Sequence, residues 1–322
     1  MNSLYKEKVL LLLRILPIVM DEECFAIHGG TAINLFVNDL LRLSVDIDLT
    51  YIPLEDRASS LNHINESLVR IADRVKKQLK VNVVSRLDIC KLTCEWRGCQ
   101  VKIEVNQTKR GIIGGESLVL PLCQKAQDLF GMEVEARIVP LTLLYGGKIA
   151  AALSRQHPRD LFDIKYMAMP IEQARLGFIF CLLGSDRPIH ESFAPNVIDQ
   201  HETMENQFAG MSDEPFTYED FEATRNKLIT DVKTMLTDDD KRFLVSFEKG
   251  EPDWSAVEYD YFAEYPSVKW KLLNLAKLKK DNPDKLKIES EKLNMILMSK
   301  FTKDVAPRTV VAGIPAKIIK RL

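Results

Sequence analysis

The chain has 322 residues and a formal net charge of −2, a length that fits about two domains and a charge that announces no nucleic-acid partner, although a local basic face would be enough for one. No apolar run reaches the roughly 18 residues of a bilayer span: the longest, VLLLLRILPIV, is broken by Arg14 and Pro17, and the mixed charges of Lys6, Glu7 and Lys8, with no small-residue cleavage site behind them, argue against a signal peptide. The expectation is a cytoplasmic protein without membrane contact, and its six cysteines are too few for a disulfide scaffold.

In chain order, residues 4 to 20 carry helical spacing of Leu, Val and Ile. The apolar run CFAIH stops at Gly29-Gly30, which reads as a strand entering a tight turn. Thr31 is placed to cap a helix running to about Leu40. VDIDLTY alternates with period two and reads as a strand. A polar segment from 54 to 80 has helical spacing at Leu61, Ile64, Leu68, Ile71 and Val75. VNVVSRLDICKLTCEW and CQVKIEVNQ are β-rich and joined by an Arg97-Gly98 turn. In that hairpin Cys94 and Cys99 are expected to lie across from each other. The cluster Cys90, Cys94, Cys99 lacks a CxxC pair and a nearby histidine, so no metal site is expected there.

A further strand is expected at 133 to 138. Near Pro140 the character changes. LTLLYGGKIAAALSRQ and RDLFDIKYMAM read as helices, as do segments around 171–182, 217–236, 238–248 and 267–298. The stretch 184 to 216, with three prolines, reads as a loop. The architecture is an α/β part at 1–139 followed by a mostly helical part at 140–298.

Asp46 and Asp48 are unexpected within an apolar strand. Alternation sends Val45, Ile47 and Leu49 to one face and both aspartates to the other, within about 7 Å of each other. Two such carboxylates repel unless a cation lies between them, and magnesium, with its preference for oxygen ligands, suits the pair. The bland alternative is a solvated strand face. The Gly29-Gly30 turn leading into a helix offers free N–H groups and a positive dipole end, an anion site fit for phosphates. In QVKIEVN, Glu104 shares a face with Lys102 and Asn106 and could supply a third carboxylate. Lys148 and Arg155, seven residues apart, share a helix face, and Lys148 is a candidate phosphate clamp. Arg159 and Asp163, four apart, can pair on the next helix. Asp160 and Asp163 can orient Lys148 and Arg155 or touch a nucleotide. A helix-to-helix ion-pair network is the structural alternative for all of these.

The blocks HGGTAINLFVNDLLRLSVDIDLTY and LTLLYGGKIAAALSRQHPRDLFDIKYM resemble the AbiEii-type toxins, nucleotidyltransferases of the DNA polymerase β superfamily. The resemblance implies an α+β fold: a polymerase-β-like nucleotidyltransferase core with a mixed β-sheet, then a mostly helical C-terminal domain. It implies a toxin of a toxin–antitoxin pair that moves a nucleotide from a nucleoside triphosphate to a nucleic acid, for several relatives the 3′ end of tRNA, by a two-metal mechanism with magnesium or manganese. Asp46, Asp48 and Glu104 would hold metal. Lys148, Asp160 and Asp163 would join them in catalysis. Gly29, Gly30, Thr31, Ser44, Lys148, Arg155 and Arg159 would bind nucleotide. Some members are reported to modify a serine placed as Ser44 is here. A separately encoded antitoxin would be the partner. Transfer to a small molecule such as an antibiotic, and a catalytically inactive nucleotide-binding protein, are the alternatives. The segment at 299–322, with DVAPRTVVAGIPAKIIKRL, resembles instead the closing segment of β-helix acyltransferases. Without upstream hexapeptide repeats it cannot form an acyltransferase site.

Overall fold

The computed structural model describes residues 1–298 and the strands at 309–312 and 317–321. A helix, α1 (Ser3–Met20), is capped by the Asn2 side chain and runs on through Pro17. It leads into β1 (Phe25–His28), the short α2 (Gly29–Ala32) and β2 (Asp46–Tyr51). Asp56 accepts from the backbone N–H groups of Ala58 and Ser59 and starts α3 (Arg57–Arg74). Three strands follow, β3 (Asn82–Arg86), β4 (Lys91–Trp96) and β5 (Cys99–Val105), then β6 (Leu118–Pro121), α4 (Gln124–Phe130) and β7 (Glu135–Ile138). The remaining elements are α5 (Leu141–Arg155), α6 (Pro158–Lys165), α7 (Arg175–Leu183), α8 (His201–Thr203), α9 (Tyr218–Thr234), α10 (Asp238–Glu248), α11 (Pro266–Asp281) and α12 (Pro283–Met298). Within the tail, β8 (Thr309–Ala312) and β9 (Lys317–Arg321) pair antiparallel; the rest of 299–322 lies outside the described residues.

Seven strands form one mixed sheet in the order β3-β4-β5-β2-β1-β7-β6. β2 runs parallel to β5, and β1 parallel to β7. The other neighbours are antiparallel. The fold is α+β, as expected. Ile27, Ile47, Leu49 and Ile103 are fully buried in the core. α1 and α3 pack against the sheet, and α5 packs along α7. Gly146 and Gly177 allow that last contact: a Cβ on Gly146 would lie 2.2 Å from the Gly177 carbonyl carbon.

Several local expectations change. α2 begins at Gly29, with His28 at the cap position, and continues as a π turn over Ile33–Val37. Thr31 therefore lies inside the helix and is not its cap. Its hydroxyl instead donates to the Asp46 carbonyl at 2.5 Å and to the Ser44 Oγ at 3.1 Å. The 267–298 stretch is two helices, because Pro283 cannot continue α11. The 184–216 segment holds a 3-10 turn at Ile189–Ser192, α8 and a π turn at Met204–Phe208. In the β4–β5 hairpin Cys99 pairs with Trp96 and Cys94 with Val101, so the two cysteines do not face each other. The cause is the two-residue turn, where Arg97 at φ 50 and Gly98 at φ 78 fix the register.

Candidate active site

The register of the sheet builds the site. His28 on β1 sits opposite Asp48 on β2, Asp48 opposite Glu104 on β5, and Glu104 opposite Lys91 on β4. Residues opposite one another share a face, so four ionisable groups cross four adjacent strands in one row. Asp46 lies on the same face of β2, opposite Lys102. Burial raises the Asp46 carboxyl above its ordinary range, and the Asp48 charge pushes the same way, with Lys102 and Arg159 opposing. Glu104 accepts from the Lys91 ammonium.

The glycine turn abuts this row. Gly29 has φ +74, and a Cβ there would lie 2.8 Å from an Asp48 carboxylate oxygen. A Cβ on Gly30 would lie 2.6 Å from the Arg42 guanidinium and 2.9 Å from Ser44 Oγ. Only glycine leaves the Asp48 and Arg42 side chains where they are.

Behind the turn lies a buried knot of charge. Arg42 holds Asp163 in two hydrogen bonds, Nε to Oδ1 at 2.8 Å and Nη2 to Oδ2 at 2.6 Å. Asn34 donates to the same Oδ1 at 2.9 Å and to the Gly30 carbonyl at 3.0 Å. The Lys148 ammonium stands 2.9 Å from Asp160 and 2.9 Å from Asp163. Arg155 reaches Asp160 at 2.7 Å. Burial alone would raise both aspartates. Lys148 and Arg155 outweigh it at Asp160, whose carboxyl falls to about 2. At Asp163, Arg42 and Lys148 bring the net shift below the usual range. The expected Arg159–Asp163 pair is absent among the described residues. Arg42 takes that place, from 121 positions away.

A cleft of about 560 Å³ opens between the row of charges and α5. Of the expected residues, Gly29, Gly30, Asp48, Lys148 and Arg155 line it. Asp46, Glu104, Thr31, Ser44, Arg159, Asp160 and Asp163 do not; Asp160 and Asp163 sit behind Lys148, and Ser44 is buried under the glycine turn. His28, Thr50, Asn106 and Lys109 line the cleft as well, although sequence reasoning gave them no role. His28 stands 3.0 Å from the Thr50 hydroxyl through Nδ1, and burial pushes its imidazole below the usual range while Asp48 pulls the other way. Arg42, a lone cation in the apolar run LLRLSV, was the signal that went unused.

Among the described residues, no three His, Cys, Asp or Glu side chains are gathered closely enough to cage a metal as they stand. The donor chemistry fits a divalent cation nonetheless. Asp46 and Asp48 are hard oxygen donors on one face, and burial first, then the Asp48 charge, raise the Asp46 carboxyl, both of which a cation would offset.

A family model described as the nucleotidyl transferase AbiEii toxin of type IV toxin–antitoxin systems matches residues 10–274. The chain belongs to the AbiEii family. It is thus a nucleotidyltransferase of the toxin–antitoxin kind, and the family implies an antitoxin partner. The tail at 299–322 lies beyond the AbiEii match. MenT4, a nucleotidyltransferase toxin from Mycobacterium tuberculosis H37Rv, shares the fold with a TM-score of 0.57 at 14% identity, over 85% of this chain and 95% of that one. A tRNA-processing enzyme in its apo form aligns at 12% identity over 92% of this chain and 98% of its own, with a TM-score of 0.24. A CCA-adding enzyme in complex with ATP aligns at 12% identity over 87% and 86%, with a TM-score of 0.21. These last two superpositions are too poor to carry an argument. No curated protein matches the chain.

Proposed function

We propose that this AbiEii protein transfers a nucleotide from a nucleoside triphosphate to the 3′ end of tRNA in the cytoplasm, and that a separately encoded antitoxin counters it. The observation that most supports this is the meeting of the Gly29-Gly30 turn, Asp48 and Lys148 on one cleft of about 560 Å³, a volume in the range of small-molecule sites. In the transfer, an acceptor hydroxyl oxygen bonds to the α-phosphorus, the bond to the β-phosphate bridging oxygen breaks, and pyrophosphate leaves.

Residues 1–139 and 140–298 act together in this reading. The N–H groups after Gly29 receive phosphate oxygens, because no side chain blocks their approach. Lys148 is held by two carboxylates, which leaves its third N–H for the triphosphate. Asp160 and Asp163 position that ammonium, and Arg42, Arg155 and Asn34 position the aspartates. Ser44 and Thr31 brace the glycine turn from behind, and Arg159 stands near enough to Asp46 to influence its charge. Asp46 and Asp48, with Glu104 completing the set, are the donors we assign to two divalent cations, magnesium or manganese. Bound there, such ions supply Lewis acidity to the phosphates and to the attacking hydroxyl.

The test is incubation of the purified chain with total tRNA, magnesium and each labelled triphosphate in turn. Label in the tRNA band, lost with Asp48→Asn, is the expected result. Asp186 and Glu191 on the cleft wall would suit a cationic small-molecule acceptor, so an aminoglycoside serves as the control. Label on the aminoglycoside and none on tRNA would overturn the tRNA assignment. Binding of nucleotide without transfer to either would point to an inactive protein.

A further inference from the structure

Beside the cleft lies a group of cations that the reaction alone does not explain. Lys109 and Gly111 line the cleft, and between them Arg110 turns inward. Arg110 is 4% exposed, and its Nε finds no hydrogen-bond partner. Its Nη1 reaches the Asp56 carbonyl at 3.4 Å, which puts the guanidinium at the N-terminus of α3. Arg57, the first residue of that helix, is a second cation at the same end. Positive charge is disfavoured at a helix N-terminus, and buried polar atoms are ordinarily satisfied. Burial, and next the charge of Arg57, lower the affinity of Arg110 for its proton.

The nearby carboxylates, Asp56 and Glu55, offset the Arg110 charge only in part, and without a direct ion pair. Asp56 is engaged in capping α3, and Glu55 accepts from Tyr51 and stands 3.0 Å from the His63 ring. Among the described residues, neither Arg57 nor Arg110 forms an ion pair, and neither does Lys109. Beside them stands an aromatic surface. Arg57 lies over the ring of Trp270 at 5.8 Å, yet Trp270 remains 49% exposed. The patch adjoins the cleft at Gly111, which lines it. A Cβ on Gly111 would lie 2.5 Å from Leu54 and 2.8 Å from Tyr265, the cap residue of the helix that carries Trp270.

We infer that Arg57 and Arg110, beside the start of α3, hold a phosphate of a nucleic-acid acceptor, and that Trp270 stacks a neighbouring base as the strand passes toward the cleft. Arg110, buried with an unpartnered Nε, and Arg57, at the surface beside it, call for an anion. An exposed indole beside it suits a base, since every base offers a π face. Phosphate and base at adjacent positions are the repeating chemistry of a single strand, which an acidic peptide lacks. The inference rests on the nucleotidyltransferase reading above and adds the surface on which the acceptor lies.

The test uses the full chain and total tRNA, measuring equilibrium binding without nucleotide and transfer kinetics with it. Arg57→Ala and Trp270→Ala should each weaken tRNA binding and raise the tRNA KM by about tenfold, the scale of one lost base stack. The KM for triphosphate and the melting temperature should hold. Trp270→Phe should keep most of the binding. Arg57→Ala should also lower the salt slope of tRNA binding by about one. Unchanged tRNA affinity and salt slope in both variants, with transfer intact, would overturn the surface and leave the reaction standing. Binding that depends on Arg57 and Trp270 but with no transfer to tRNA would do the reverse. Failure of the wild type to bind tRNA, or equal binding of polyglutamate, would also overturn the surface.

Discussion

Arg42 and Asp163, 121 positions apart, meet through a two-point hydrogen bond that is sealed from solvent on both sides, with side-chain exposures of 3% and 0%. Removing one member of a buried pair leaves the other uncompensated, at a cost of about 3–5 kcal/mol. Arg42→Met should therefore lower stability by about 3 kcal/mol, the low end, because Lys148 and Asn34 still serve Asp163. Arg42→Lys should recover only part, since an ammonium cannot reproduce the planar fork. Denaturant midpoints at constant m-value check this. A loss under about 1 kcal/mol in Arg42→Met would mean that the pair contributes little.

Lys148 joins function and stability in one side chain. With two carboxylates at 2.9 Å, Lys148→Ala should lower the melting temperature of the free protein clearly. It should also slow nucleotide transfer by about 10²-fold or more, the scale for losing a preorganised charged donor. A variant that melts early yet transfers normally would make Lys148 a purely structural residue. Differential scanning fluorimetry and labelled-triphosphate assays on one preparation give both numbers.

The sequence left open whether Lys148 clamps phosphate or pairs with Asp160 and Asp163, and the ion pairs to both aspartates make the stability effect part of the expectation. How much was legible follows from distance along the chain. Asp46, Asp48 and the glycine turn lie within 20 residues, and strand alternation with helix-start chemistry places them. Lys148, Arg155, Asp160 and Asp163 fall within two adjacent helices, where spacing rules still reach. Arg42 with Asp163 obeys no local rule. Nor does the row His28, Asp48, Glu104, Lys91, which only the strand order brings together. β6 was missed because it is a four-residue edge strand, mostly exposed, with no buried face to impose alternation.

Asp46 and Asp48 should separate activity from stability. The Asp46 carboxyl titrates above 3.8 in the folded chain, chiefly through burial and then through Asp48. The folded state thus holds a proton that the unfolded state has already released, and stability from this group falls as pH rises through that window. At pH 7 Asp46→Asn should keep or raise the melting temperature measured without metal, while nucleotide transfer disappears. Asp48→Asn should likewise abolish transfer. A strongly lowered melting temperature for Asp46→Asn would contradict the assigned repulsion.

Asp160 gives the opposite sign. Its folded carboxyl sits at about 2 against 3.8 unfolded, so its contribution is present above about pH 4 and is lost as pH falls toward 2. The shift corresponds to roughly 2 kcal/mol. Asp160→Asn should flatten the acid limb of the stability curve between pH 4 and 2, read from urea midpoints across that range. An acid limb identical to wild type would refute the assignment.

Because Arg42, Lys148 and Asp163 stabilise one another across the two parts of the chain, the site cannot be finished before synthesis has passed the middle of the 322 residues. A ribosome making this polypeptide from its first residue emits the glycine turn and both strand aspartates long before α6 exists to hold them. Nascent chains, and the products of premature stop codons upstream of Asp163, carry half of a lock with no bolt. In such fragments Arg42 lacks the carboxylate that holds it, and in those ending before Lys148 the glycine turn has no ammonium across from it.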